Sequence, residues 1–122
     1  MSLDYKTRKY EPNEEKRIVE LLDDIFKGWP HFDIDRSPLD HWIWKYRDNP
    51  QDKGWASVAE ADGKIVGCYH LFFTRIKVGP EVILSMQSAD AGVLPDFQGQ
   101  GIFKKLYSDI DKFWDTKKPK DT

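Results

Sequence analysis

A glycine-rich turn at residues 98–103 has the residue types that bind an anion. It follows an apolar, strand-like segment that ends at Val93 and precedes an amphipathic helical pattern. Glycines let the backbone approach a ligand without a Cβ in the way. The N–H groups of a helix's first turn are unpaired, and the helix dipole favours negative charge beside them. The turn is therefore predicted to hold a pyrophosphate, although a turn that only starts a helix has the same local sequence.

Two familiar phosphate-binding motifs do not fit this turn. A Walker-type loop requires Gly-Lys followed by Ser or Thr, whereas Gly101 is followed by Ile102. A Rossmann fingerprint requires a third glycine, with an acidic residue about twenty positions further on, inside a βαβ unit. The third glycine is missing, and the preceding strands have the pattern of a meander. Both types of nucleotide-binding site are excluded.

The elements that must position the turn are short strands and amphipathic helices. Asn13 is expected to cap the first helix and Ser37 the second, and Gly92 is expected to mark a bulge or a close approach in the last strand. Strands are predicted at residues 4–10, 55–60, 65–76 and 82–93, and helices at residues 13–28, 37–49 and 101–114. The core stripe of the last helix is predicted to consist of Ile102, Phe103, Leu106, Ile110 and Phe113. This order favours an α+β layer architecture.

The turn resembles the acetyl-CoA signature of the GNAT N-acetyltransferases, Gln/Arg-x-x-Gly-x-Gly/Ala after a strand that ends in Val-x-Pro. Residues 93–95 have that strand ending, and Gln98 and Gly101 stand at the signature positions. Phe103 departs from the signature at its last position, where the family prefers a small residue. Residues 5–10 and 61–67 are also similar to the family's first strand and to the hairpin between its second and third strands. The resemblance covers residues 5–114.

The resemblance implies a GNAT-like α+β fold, a predominantly antiparallel sheet of four strands with three helices. The family continues with further strands after the third helix, so residues 1–122 are interpreted as a single, truncated GNAT-like domain that lacks the C-terminal strands. Val82–Val93 would then form an unpaired edge with no charge in its first half. We therefore expect the chain to form homo-oligomers through this edge.

The same resemblance implies an acyl-CoA-dependent N-acyltransferase with acetyl-CoA as the acyl donor. A primary amine, either a small molecule or a peptide, would attack the thioester directly, without a covalent enzyme intermediate. The residues implied to bind the cofactor are Val93, Gln98, Gly99, Gln100, Gly101, Ile102 and Phe103. The alternative is a catalytically inactive GNAT-like module that binds CoA or a protein partner.

Asp90 is the candidate catalytic base, since family members often place a carboxylate on the fourth strand and Asp90 is the only carboxylate between Val82 and Val93. A buried strand aspartate is expected to have a raised pKa, which would suit a base near neutral pH. The alternative is a hydrogen-bonded structural carboxylate. The loop at residues 29–35 would line the acceptor pocket by the same resemblance, or would be an ordinary surface loop.

Composition excludes several other functions. The net charge is −2, from 19 basic and 21 acidic residues, and no Lys/Arg run is long enough to indicate nucleic-acid binding. No apolar stretch approaches the roughly 20 residues of a membrane span. The single cysteine, Cys68, cannot form an internal disulfide and is expected to be a buried core residue, which favours a cytoplasmic location. The three histidines lack metal-ligand spacing, so no metal is expected.

Overall fold

A computed structural model of the chain describes residues 4–31 and 35–117. Its strands are β1 (Lys6–Lys9), β2 (Trp55–Ala61), β3 (Lys64–Val78) and β4 (Glu81–Val93). Its helices are α1 (Glu15–Phe26), α2 (Pro38–Trp42) and α3 (Ile102–Lys117); α2 continues into a π-helical turn at Ile43–Arg47, and a short 3-10 turn occupies Pro95–Phe97. The predicted α+β fold of four antiparallel strands and three helices is confirmed.

The strands form one antiparallel sheet in the order β1-β2-β3-β4, with helices on both faces. On one face, α1 and α2 pack against Val58, Cys68 and their neighbours, and on the other α3 packs against Ala59, Tyr69 and their neighbours. Successive residues of a strand point to opposite faces, so adjacent positions enter different cores. This explains why β3 is buried almost without interruption from Ile65 to Phe73.

Of the two residues predicted to cap helices, one does so and the other does not. Ser37 caps α2 as expected, because its Oγ accepts a hydrogen bond from the Asp40 N–H at 3.1 Å. Asn13 does not cap α1: the N-cap residue is Glu14, and Asn13 has φ 78° in the preceding turn. The Glu14 carboxylate instead accepts two hydrogen bonds from Arg8, and together with a hydrogen bond from the Glu11 N–H these lower its pKa to about 2 against the opposing effect of burial.

The far end of the β3–β4 hairpin extends beyond the rest of the sheet. Pairing between β2 and β3 ends at Leu71, whereas β3 and β4 stay paired as far as Val78 and Glu81. This projecting end of the β3–β4 hairpin carries exposed apolar side chains, among them Val78 and Val82. Within residues 4–31 and 35–117, β4 lies at the edge of the sheet, as predicted. In the same part of the chain, no helix has both the length and the apolar character needed to cross a membrane.

Candidate cofactor and acyl-transfer site

The predicted glycine turn borders a pocket of about 490 Å³ between the end of β4 and the start of α3. All of the predicted cofactor residues except Gln100 line it, and so do three others: Gly92, Phe97 and Lys104. The carbonyl of Gln100 instead accepts a hydrogen bond from the Tyr5 hydroxyl at 3.4 Å. Lys104 was not among the residues predicted from the sequence, although a lysine in the first turn after a glycine-rich anion motif is itself a signal for phosphate binding.

Two hydrogen bonds fix the chain between β4 and α3. The Leu94 N–H donates to the Val66 carbonyl at 2.9 Å, so the end of β4 stays attached to β3. The Gln98 side chain donates from Nε2 to the Val93 carbonyl at 3.0 Å and so connects the turn back to the end of β4. Gly99 and Gly101 both have φ 81°, a conformation that other L-residues rarely adopt. These positions favour glycine, which explains the Gly-x-Gly spacing.

The start of α3 offers backbone donors to an anion. The first helical hydrogen bond runs from the Lys105 N–H to the Gly101 carbonyl at 3.1 Å. The N–H groups of residues 102–104 therefore have no acceptor within the helix. The helix dipole favours negative charge beside these groups, and the Lys104 side chain lines the same pocket. Val93 and Ile102, which are almost fully buried, contribute apolar lining.

Phe103 was predicted to belong to the core stripe of α3, and this prediction is wrong. The side chain is 50% exposed, whereas Ile102, Leu106 and Ile110 are buried. Phe103 lies on the pocket side of the helix and contacts the ring of Tyr69 at 5.4 Å between centroids. The large residue at the last signature position therefore forms part of the pocket wall.

Asp90 lies on β4 two residues before Gly92, the first residue of β4 that lines this pocket, and three side chains donate to its carboxylate. The Trp29 indole N–H donates to Oδ1 at 2.9 Å. The Lys45 ammonium lies 3.1 Å from Oδ2, and the Tyr46 hydroxyl donates to the same oxygen. Asp90 thereby connects the α1–α2 segment of the fold to the edge strand. This arrangement is the hydrogen-bonded carboxylate that the sequence analysis left open as the alternative.

The raised pKa expected for Asp90 is wrong. Burial by itself would raise the pKa of the Asp90 carboxyl, but hydrogen bonds from Tyr46 and Trp29 and the charge of Lys45 lower it below the ordinary value. The pKa of Tyr46 changes in the opposite direction: burial, the charge of Asp90 and the hydrogen bond to Asp90 all raise it. Asp90 is thus held ionised by donors that stabilise its charge. Its role as a base stays a prediction, and the lowered pKa weighs against it.

Two buried groups of β3 lie beneath Asp90. His70 is fully buried, and burial lowers the pKa of its imidazole to about 4, so the ring is neutral near pH 7. Cys68 is buried as predicted, and burial raises the pKa of its thiol. A buried thiol with a raised pKa has little thiolate, which agrees with a structural role.

A second cleft, of about 260 Å³, lies on the other side of Asp90. From the predicted acceptor loop, Trp29, Pro30 and His31 line it, whereas residues 32–34 lie outside the described part of the chain. The remaining lining residues are Phe26, His41, Lys45 and Asp90. Burial and the charge of Lys45 lower the pKa of His41. Among the described residues, no group of three His, Cys, Asp or Glu side chains could hold a metal ion.

Comparison with known proteins shows which family the chain belongs to. A model described as an acetyltransferase (GNAT) domain matches residues 6–118. Because the match covers most of the chain, the chain belongs to the GNAT acetyltransferase family. No curated protein matches the sequence. The glycine turn and the element order therefore gave the correct family.

Solved structures of other acetyltransferases share the fold. Glucosamine-6-phosphate N-acetyltransferase from Arabidopsis thaliana is 20% identical with a TM-score of 0.67, over 93% of this chain and 76% of that chain. A "predicted acetyltransferase" from Clostridium acetobutylicum with acetyl-CoA is 15% identical with a TM-score of 0.71, over 93% of this chain and 75% of that chain. A fungal multi-domain GH3 beta-N-acetylglucosaminidase with a GCN5-related glucosamine N-acetyltransferase region is 20% identical with a TM-score of 0.64; the match covers 93% of this chain but only 12% of that protein.

Proposed function

We propose that this chain binds acetyl-CoA in the pocket between β4 and α3 and transfers its acetyl group to a primary amine. One observation carries the proposal: the pocket combines two glycines of positive φ, the unpaired N–H groups that begin α3, and the Lys104 side chain. This combination suits a diphosphate at one end of a long, partly apolar ligand. Membership of the GNAT family supports the same donor.

Acetyl-CoA supplies an activated thioester. The neutral amine attacks its carbonyl carbon, so that a C–N bond forms and the C–S bond breaks. The amine nitrogen loses one proton, and the departing CoA thiolate gains one to leave as the thiol. The chain's own contribution is to hold the diphosphate at the start of α3 and to hold the acyl end along the last residues of β4, Gly92 and Val93. Positioning of this kind supplies a large share of the acceleration in direct transfer reactions.

The acceptor amine is proposed to enter through the cleft beside Asp90. The structural neighbours include an enzyme named for glucosamine-6-phosphate and one named for aminoglycosides, both small amines. The cleft holds one carboxylate, which Lys45 already pairs, together with the rings of Trp29 and His41. A small-molecule amine therefore suits it, and a peptide amine is the second candidate.

The cytoplasmic location remains a prediction from the single buried cysteine.

Calorimetry with acetyl-CoA, followed by a thiol-release assay over a panel of amines, tests the function. We expect saturable binding of acetyl-CoA and release of one thiol for each amine acetylated. Binding without release for any amine would support the inactive module instead. Absence of binding would remove the cofactor site from the proposal.

A matched pair of variants strengthens the binding measurement. Gly99→Ala and Gly63→Ala introduce the same methyl group at φ 81° and φ 78°, and neither Cβ has a neighbour within 4 Å. Both variants carry a similar backbone strain, but only Gly99 lines the pocket. We expect acetyl-CoA affinity to fall in Gly99→Ala alone. Equal affinities in the two variants would contradict the proposed site.

A further inference from the structure

The β4 strand contains a bulge whose first residue is Asp90. Cys68 of β3 faces Gly92 and His70 faces Ala89, so Asp90 and Ala91 together lie opposite the single residue Tyr69. Asp90 has φ 50°, in the left-handed region that non-glycine residues rarely occupy. Such a conformation persists where surrounding contacts hold it in place. A bulge or a close approach was expected at Gly92. The bulge lies just before this residue, and a Cβ on Gly92 would lie 2.9 Å from the Ile25 side chain.

The side chain of Asp90 is held from the α1–α2 side of the fold. Trp29 donates to one carboxylate oxygen, and Lys45 and Tyr46 donate to the other. The Lys45 ammonium also lies 4.9 Å from the centre of the Phe72 ring, which limits its movement. Lys45 and Asp90 are both largely shielded, with side-chain exposures of 21% and 16%. The carboxylate is therefore fixed in three directions by groups that are themselves packed.

The main chain of Asp90 is held from the opposite direction, by β3. The Trp42 indole N–H donates to His70 Nε2 at 3.0 Å, and an indole nitrogen can only donate. His70 Nε2 is therefore an acceptor, which leaves the proton of the neutral ring on Nδ1. Nδ1 lies 2.7 Å from the Asp90 carbonyl and donates to it. Thus a buried Trp42–His70 pair fixes the carbonyl while three other side chains fix the carboxylate.

These contacts matter for the cofactor pocket because its wall begins two residues further along β4. Gly92 and Val93 line that pocket, and a bulge sets the direction in which the following backbone groups point. We propose that Asp90 is a positioning residue: its clamped side chain and carbonyl fix the β4 bulge, and the bulge places the backbone that holds the acyl end of acetyl-CoA. The inference rests on the proposed function, and it assigns Asp90 a role other than that of the base.

The comparison of Asp90→Asn with Asp90→Ala separates the two roles. Asparagine tolerates a positive φ and keeps one oxygen that can accept from Trp29 or Tyr46, whereas alanine keeps neither advantage. Neither residue can act as a base. A positioning role predicts that kcat in Asp90→Asn stays at least about tenfold above that in Asp90→Ala. Equal losses of about 10²–10⁴-fold in both variants would overturn the proposal and support the base.

Tyr46→Phe gives a second test that does not alter Asp90 itself. The variant removes one donor, so it raises the pKa of Asp90. A positioning role predicts a kcat about tenfold lower, with no shift in the acid limb of the pH–kcat profile. An acid limb that moves to higher pH with an undiminished plateau would show that Asp90 is the base. Tyr10→Phe is the control, since Tyr10 also contacts the Trp42 ring but no hydrogen bond joins its hydroxyl to Asp90.

Binding measurements distinguish failure of this inference from failure of the proposed function. ADP carries the diphosphate but neither the thioester nor the arm that leads to it. With the wild-type chain binding acetyl-CoA, Asp90→Ala should weaken acetyl-CoA at least about tenfold and leave ADP unchanged, even without turnover. Unchanged acetyl-CoA affinity in folded Asp90→Ala, checked by circular dichroism, would overturn the inference alone. A wild-type chain that binds neither ligand would overturn the proposed function and the inference with it.

Discussion

The two ends of the site are built in opposite ways. Around Gly99 and Gly101, the turn borders the pocket at the start of α3, and both glycines have a positive φ. Around Asp90, side chains of the protein already contact the polar groups: Trp29, Lys45 and Tyr46 donate to the carboxylate, and His70 donates to the carbonyl. The carboxylate of Asp90 has three donors within the protein, whereas the N–H groups of residues 102–104 have no acceptor within α3. This difference supports the proposals that the turn binds the diphosphate and that Asp90 has a positioning role.

The largest effect is expected at the turn. Gly101→Val places a branched side chain at φ 81° beside the free N–H groups of α3, where it would obstruct a diphosphate. Hydrogen bonds to a charged group contribute about 1.5–3 kcal/mol each, so the loss of one such bond should lower acetyl-CoA affinity by at least about tenfold. Calorimetry measures the loss, with Gly63→Val as the control for backbone strain. Undiminished affinity in a folded Gly101→Val protein would remove the turn from the cofactor site.

The second prediction concerns the support beneath Asp90. The pKa of His70 is about 4 in the folded chain, below its ordinary value of 6.5. The unfolded chain therefore binds a proton that the folded chain does not, and stability falls as the pH decreases from 6.5 toward 4. Linkage gives a loss on the order of 2 kcal/mol between pH 7 and pH 5. Urea unfolding at both pH values measures it.

His70→Gln tests the assignment of this pH dependence. The variant should be less stable overall but should lose less stability between pH 7 and pH 5 than the wild type. His31→Gln, at an exposed histidine, is the control. The same pH dependence in His70→Gln and the wild type would show that other groups are responsible. Glu14 contributes little in this window, because its stabilisation is lost as the pH falls from its ordinary pKa of 4.5 toward the folded value of about 2.

A smaller effect should separate two neighbouring lysines at the start of α3. Lys104 lines the cofactor pocket, whereas the ammonium of Lys105 lies 3.5 Å from the Asp109 carboxylate. Exposed charges contribute modestly, so Lys104→Ala should weaken acetyl-CoA about threefold to tenfold and Lys105→Ala should have little effect. The difference should shrink at high salt, because the interaction is screened. Equal effects of the two substitutions would place the phosphates elsewhere.

The smallest effect concerns the edge of the sheet rather than the site. The exposed edge strand β4 carries Val82 and Ile83, which are 62% and 40% exposed, and edge strands of this kind pair with a second copy. We predict self-association at micromolar concentration, measurable by light scattering, and its reduction by Val82→Lys. Trp44→Lys, at an exposed residue on the π-helical turn, is the control. A wild-type chain that scatters as a monomer at all concentrations would contradict the prediction.

Local patterns were sufficient for the elements and for the turn. The Gly-x-Gly spacing identified the pocket because each glycine answers a local requirement, a positive φ beside the start of a helix. The hairpin within residues 61–67 and the cap at Ser37 were also predicted, because each depends on a few neighbouring residues. Phe103 was misplaced because helical periodicity gives a residue's angle around the helix, and not where the sheet beneath it ends.

What the sequence alone determined was therefore the family and the order of the strands and helices along the chain. It also predicted the turn at which an anion would bind, since each of these features depends on residues close together in the chain. Tertiary structure alone decided the state of Asp90. Its partners Trp29 and Tyr46 lie 61 and 44 residues away in sequence, and the pKa of a carboxyl follows from the donors around it rather than from its own strand. The strand pattern around Asp90 does not reveal which donors will surround its carboxyl. The pKa was expected to be raised and is instead lowered, because folding brings these donors together.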